Sequence, residues 1–167
     1  MVNRADAGAV ERARAAGVPC VFLPHAGYAS RQDYDAVLVE ALREHQVDLV
    51  ALAGFMRLVT KVLLDAFPGQ VLNIHPSLLP AFPGLHAQRQ ALLHGCKVAG
   101  CTVHLVDEGL DAGPIVLQAC VPVLDDDDEA TLSARILVEE HRLYPEAVRR
   151  LAKGSLRVDG RRVLGAS

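Results

Sequence analysis

The feature that most narrows the fold of this chain is the regular exchange of short, uninterrupted apolar runs with stretches of helical period. Leu49 to Phe55 (LVALAGF) carries no charge along its length, the pattern of a strand buried on both faces of a parallel sheet. Before it, Ser30 with Asp33 three residues on opens a helix. Its apolar positions Tyr34, Val37, Leu38, Ala41 and Leu42 keep the i, i+3, i+4, i+7, i+8 spacing of a stripe facing a sheet. After it, Thr60 is placed to cap a helix that Pro68-Gly69 stops, and Val71 to His75 follows as the next strand. Nearer the N-terminus, Asp6 can cap a short helix ending at Gly17, ahead of a strand at Cys20 to Leu23. Beyond a proline-rich loop come a short helix over Ala87 to His94, strands at Thr102 to Val106 and Ile115 to Val123, and a long amphipathic helix. That helix carries Leu132, Ile136, Leu143 and Ala147 on one side. Leu156 to Leu164 reads as a hairpin turning at Asp159-Gly160. The expected class is therefore α/β, an open, mostly parallel sheet flanked by helices, in which ligands bind outside the carboxyl ends of the strands.

Length and composition bound the rest. A chain of 167 residues fits one domain, residues 1–167, with no linker, repeat or low-complexity stretch to argue for a second. Aromatics are 4% with no Trp, so Leu, Val and Ala must fill the core. A net charge of −3 without a dense basic patch argues against a nucleic-acid partner. Cys20, Cys96, Cys101 and Cys120 have neither CxxC nor finger spacing and read as buried free thiols in a reducing compartment. No apolar run spans a bilayer and the N-terminus lacks the apolar core of a signal peptide, so the expectation is a cytoplasmic protein with no membrane partner. The acidic run Asp125 to Glu129 suggests calcium at first sight. It lacks the glycine and spaced oxygens of a calcium loop, and complementation of a helix N-terminus is the better account.

The sharpest chemical signal is NIHPSLLPAFPGLHA, Asn73 to Ala87. Side chains two apart on a strand share a face, so Asn73 and His75 project together from the end of a buried strand toward the ligand crevice. Pro76, Pro80 and Pro83 then fix φ at three places in the loop that follows. A strand end simply meeting solvent is the plainer alternative. A second candidate is VDEGLDAGP, Val106 to Pro114, where Asp111 sits among glycines and a proline; taken alone this is an ordinary turn. Thr102 and His104 share a strand face and add one more polar pair able to point at the same crevice. Ser77 lacks the G-x-S-x-G turn of a hydrolase nucleophile, no HExxH or comparable spacing marks a metal site, and His25, His45 and His94 look like surface residues.

From Val2 to about Leu164 the sequence resembles the folate-dependent glycinamide ribonucleotide formyltransferases, with NRADAG, LAGFMRLV, NIHPSLLPAFPGLHA, the LDAGP loop and EEHRLYP in the family's order. The PGLHAQRQAL continuation resembles the glycinamide enzyme more than the methionyl-tRNA formyltransferase or the formyltetrahydrofolate deformylase. The resemblance implies a Rossmann-like formyltransferase sheet ending in a C-terminal β-hairpin. It also implies transfer of a formyl group from 10-formyltetrahydrofolate, a co-substrate used without a metal, to the amine of glycinamide ribonucleotide in purine biosynthesis. Asn73, His75 and Asp111 would be the catalytic residues: Asn73 holding the oxyanion, His75 supplying a proton or cationic donor, Asp111 stabilising the charged ring. Arg31, Met56, Arg57, Leu58, Val59 and Asn73 would contact the folate and Glu140 the amine substrate, with His104 and Thr102 behind them. For FMRLV on its own, core packing is the simpler reading.

Family members begin with a strand, a glycine-rich phosphate loop and a helix that have no counterpart before Val2, so the fold expected here is N-terminally truncated relative to them. Two expectations follow: reduced folate binds while the phosphate-bearing substrate binds poorly, and sheet edges left open favour self-association. A folate-binding remnant without catalysis, and another folate-dependent formyltransferase or hydrolase of the same fold, remain as alternatives.

Overall fold

The computed structural model describes residues 1–165; the last two residues of the expected domain, 166 and 167, lie outside the described residues. Six strands form one sheet: β1 (Val50–Leu52), β2 (Val71–His75), β3 (Val98–Leu105), β4 (Ile115–Pro122), β5 (Arg157–Asp159) and β6 (Arg162–Leu164), in the order β1-β2-β3-β4-β6-β5. β1 runs parallel to β2 and β4 parallel to β6, while β3 and β5 are antiparallel to their neighbours. Four of the six strands therefore point the same way, and the sheet is mostly parallel with two reversed strands.

Among the described residues there are five helices: α1 (Gly8–Ala15), α2 (Arg31–Glu44), α3 (Lys61–Ala66), α4 (Ala87–Leu93) and α5 (Glu129–Ala152). β2 shows how they divide the core. Its neighbours Val71 and Leu72 point to opposite faces and are both buried; Val71 belongs to a cluster with Tyr34, Leu38, Leu42, Val50, Leu52 and Leu63, and Leu72 to one with Val103, Val116, Leu132, Ile136 and Ala147. The first cluster is closed by α2 and α3 and the second by α5, which lies across β2, β3 and β4. α5 starts on a capping box, Asp128 accepting from the Thr131 N–H while the Thr131 hydroxyl accepts from the Asp128 N–H, and Asp127 is bidentate to Arg135. Asp127 and Asp128 are thus spent on the helix terminus, while Asp125 pairs with Lys97.

Several local expectations change. The 49–55 run yields a strand only at Val50–Leu52, with Ala51 exposed between two buried neighbours: β1 pairs on one side alone and is covered on one face, so it is an edge rather than a doubly buried strand. The strand expected at Cys20 to Leu23 is reduced to a single parallel bridge, Val2 to Phe22. Asp6 pairs with Arg4 instead of capping α1, whose N-cap is Ala7. Ser30 does cap α2, accepting from the Asp33 N–H, but the Thr60 hydroxyl caps nothing; its N–H is given to Asp35, buried within the α2 stripe. β3 begins four residues earlier than its sequence suggests, at Val98.

The cysteines also divide differently from expectation. Only Cys101 is buried, whereas Cys20 and Cys120 are exposed, Cys120 because it falls on the outward parity of β4. Burial pushes the Cys101 thiol up from 9.0 to about 11, which at a fixed neutral pH leaves roughly a hundredfold less thiolate. Disulfide-exchange titration of the native chain should label Cys20 and Cys120 rapidly and Cys101 only after denaturant is added. Equal rates for all of them would show that the β3 core is open.

Candidate active site

Asn73 and His75 leave the end of β2 on one face and line a cleft of about 550 Å³. Its walls are the 54–59 segment after β1, the turn around Gly84–His86, and the 106–111 loop between β3 and β4. Met56, Leu58, Leu85 and Leu110 present large exposed apolar surfaces there, the sort of surface a flat aromatic ligand covers.

His75 is held from both sides. Its Nε2 lies 2.8 Å from the Phe82 carbonyl oxygen, which can only accept, so Nε2–H is the donor. Its Nδ1 lies 3.3 Å from Asp111 Oδ2, so each ring nitrogen faces an oxygen able to accept from it. The pair is well covered, the side chains being 6% and 13% exposed. The 3.3 Å separation is longer than a tight charge-assisted bond, which leaves the Nδ1 edge free to share its proton with a bound oxygen. Asp111 is itself fixed: Oδ2 accepts the Gly84 N–H at 2.8 Å, tying the two loops together. Gly113, two residues on, has no room for a Cβ, which would fall 1.8 Å from the Leu105 carbonyl oxygen.

His104 orders the other half. Nδ1 is 3.0 Å from the Leu105 carbonyl and must donate to it, leaving the Nε2 lone pair to accept from Asn73 Nδ2 at 3.2 Å. That sets the Asn73 amide with its NH2 inward and one N–H uncommitted. Burial holds the His104 ring below its ordinary value, against the opposing pull of the Leu105 carbonyl and the Asp111 charge. His104 is thus a neutral acceptor; Asp111 Oδ1, 3.7 Å away, is a neighbour and not an ion-pair partner.

The other sequence-derived residues scatter. Met56, Arg57, Leu58 and Val59 all line the cleft, and the Arg57 guanidinium sits 4.3 Å over the Tyr34 ring with Nη1 buried and unpaired in the protein. Arg31 is an exposed residue at the start of α2, outside the cleft lining. Thr102 does not reach the cleft either; it is fully buried and its hydroxyl serves the 77–79 backbone. Glu140 lies half-buried on α5, where burial pushes its carboxyl above the usual range and His141 and His75 partly offset that. Sequence reasoning missed the Phe82 carbonyl and Gly84 N–H, which are backbone groups with no side-chain signature. His25, His45 and His94 are exposed, as expected.

The formyl transferase family profile matches residues 1–148. The chain belongs to the formyl transferase family. Among members of that family, it is 50% identical over 153 residues to phosphoribosylglycinamide formyltransferase of Mycobacterium tuberculosis, an alignment covering 92% of this chain and 71% of that one. The crystal structure of glycinamide ribonucleotide transformylase 1 from Symbiobacterium toebii superposes with a TM-score of 0.94 at 61% identity, covering 96% of this chain and 76% of that one. The chain is also 48% identical over 153 residues to the trifunctional purine biosynthetic protein adenosine-3 of Drosophila melanogaster, of whose length it spans 11%. Within the formyl transferase family the chain therefore groups with the phosphoribosylglycinamide formyltransferases.

A histidine kept neutral by burial makes a signed prediction. Because the His104 value is lowered in the folded chain, the unfolded chain takes up this proton first as pH falls below 6.5. Stability should decline from there downward and level off once the folded ring also titrates. His104→Gln should remove this share of the decline, seen by comparing urea midpoints of the two proteins across the range; parallel curves would contradict the assignment.

Proposed function

We propose that the cleft transfers a formyl group from 10-formyltetrahydrofolate to the amine of glycinamide ribonucleotide, a step of purine biosynthesis, with Asn73, His75 and Asp111 acting on the reacting atoms. The observation that carries this reading is the convergence of the three in one cleft, His75 Nδ1 standing 3.3 Å from Asp111. The amine lone pair forms a bond to the formyl carbon and the carbonyl electrons move to oxygen. The uncommitted Asn73 N–H and the His75 Nδ1–H are the donors available to that oxyanion, in a covered setting where each counts for more than in water. As the carbon–nitrogen bond to the folate breaks, the electron pair returns to the folate nitrogen, which takes a proton; the amine gives one up. Asp111 keeps the imidazolium paired throughout.

The folate fits the residues present. A volume of about 550 Å³ lies within the range of ligand pockets, the apolar wall suits a planar ring system, and the unpaired Arg57 Nη1 suits a carboxylate of its tail. Glu140, partly desolvated on α5 and outside the cleft lining, is the residue we assign to the amine substrate on the family resemblance. The free, partly exposed cysteines agree with a cytoplasmic setting, and no described helix is long and apolar enough to cross a membrane. The open outer edge of β1 supports self-association at high concentration, which sedimentation across a concentration series would measure.

Asp111→Asn should lower the rate of formyl transfer by about 10²- to 10⁴-fold, with reduced-folate affinity, measured by calorimetry, little changed. The transfer assay pairs formyl-folate with glycinamide ribonucleotide and follows release of the deformylated folate. Unaltered turnover in Asp111→Asn would remove Asp111 from the mechanism, and a folate that fails to bind would remove the cleft.

A further inference from the structure

The loop from Pro76 to Pro83 carries the Phe82 carbonyl to His75, and something must hold that loop, because its backbone has no strand or helix partners. The Thr102 hydroxyl, fully buried, makes three hydrogen bonds: it donates to the Ser77 carbonyl at 2.7 Å and accepts from the Leu79 N–H at 3.0 Å and from Gln118 Nε2 at 2.9 Å. Gln118 Nε2 also donates to the Leu79 carbonyl at 2.9 Å, so both amide protons are committed to the base of the loop. The Ser77 hydroxyl then donates to the Ala81 carbonyl at 2.6 Å, one residue before Phe82. Gln118 sits on β4 directly across from Thr102, exposed as a residue and outside the cleft lining, yet its amide turns inward. A glutamine serving only solubility would leave that amide in water.

We propose that Gln118 and Thr102 form a strut that sets the Phe82 carbonyl against His75, making Gln118 a positioning residue for the reaction. The strut fixes the Nε2 side of the ring, so the Nδ1 edge keeps its direction toward Asp111 and the cleft. Loss of the strut lets the loop drift and the imidazole turn with it. A misplacement of that kind lowers turnover while leaving the folate wall at 54–59 untouched. The kinetic part of this inference rests on the formyl-transfer reading; the structural part does not.

The test uses the full chain and four variants. Gln118→Glu keeps the shape but replaces both donors with acceptor oxygens facing an acceptor, Gln118→Leu removes all hydrogen bonding, Thr102→Val removes the hydroxyl, and Thr102→Ser restores it. Long-range proton–nitrogen NMR of the imidazoles reads the His75 ring directly, and steady-state kinetics read kcat apart from the KM for folate. The expected result is a displaced His75 Nε2 signal in Gln118→Glu, Gln118→Leu and Thr102→Val, with kcat down about 10- to 100-fold and folate KM within about twofold. Thr102→Ser should give the wild-type ring signal. Folded Gln118 variants whose His75 resonances coincide with wild type would overturn the proposal, as would loss of the folded amide spectrum in both, which would make Gln118 merely structural. A wild-type chain that transfers no formyl group would sink the functional reading alone, since the ring signals still decide whether the strut acts.

Discussion

The site depends on β2 being buried on both faces. Val71 is locked into the α2–α3 core and Leu72 into the α5 core, so the strand has no freedom to rotate or slide without emptying one of them. A one-residue slip would exchange the faces and carry Asn73 and His75 away from the cleft. Tyr144 reinforces the same point from α5: its buried hydroxyl donates to the Leu52 carbonyl at 2.6 Å with the Leu72 carbonyl at 3.1 Å, pinning the ends of β1 and β2 where the cleft begins. Asn73 and His75 thereby inherit the rigidity of the core instead of the mobility of a loop.

Asp111 reaches the cleft by a different route, on the loop that follows antiparallel β3. β3 runs back beside β2 with Leu105 opposite Leu72 and Asn73 opposite His104, so the loop after β3 leaves beside the start of β2 and folds back along the cleft to bring Asp111 to His75. The same register brings His104 against the Asn73 amide.

The sequence made some of this legible and the reasons are physical. Asn73 and His75 could be paired from strand period alone, and the stripes of α2 and α5 from helical period, because those periods are set by local geometry. Asp111 could not: amid glycines it reads as a turn, and only the resemblance singled it out. Thr102 was seen to share a face with His104, but the loop that intercepts its hydroxyl is a tertiary fact. The place of Arg31 outside the cleft lining was illegible for a similar reason, since it depends on how α2 lies against the sheet. The 49–55 run misled because unbroken apolarity is shared by a doubly buried strand and by an edge strand whose flanking residues pack elsewhere. The Cys120 misreading is one of parity: on either side of it in β4 the inward residues are Ala119 and Val121, and apolar neighbours in sequence say nothing about which face a residue takes.

Backbone strain around the cleft shows how the loops are kept in place. Phe82, His86 and Asp111 all have positive φ, at 53°, 59° and 49°, and none is a glycine. Such conformations cost on the order of 1–3 kcal/mol each, and three of them in the loops around one cleft have to be offset locally. The offsets are identifiable in two cases. Asp111 takes the Gly84 N–H and faces His75, and Phe82 gives its carbonyl to the same ring, so His75 is the member common to both. The strained residues thus place an acceptor on each side of the imidazole, and the imidazole in turn holds the strained residues. Neither loop has regular secondary structure to stabilise it, so the ring serves as the link between them. A site built this way trades some stability for a His75–Asp111 pair that the two loops hold in one arrangement.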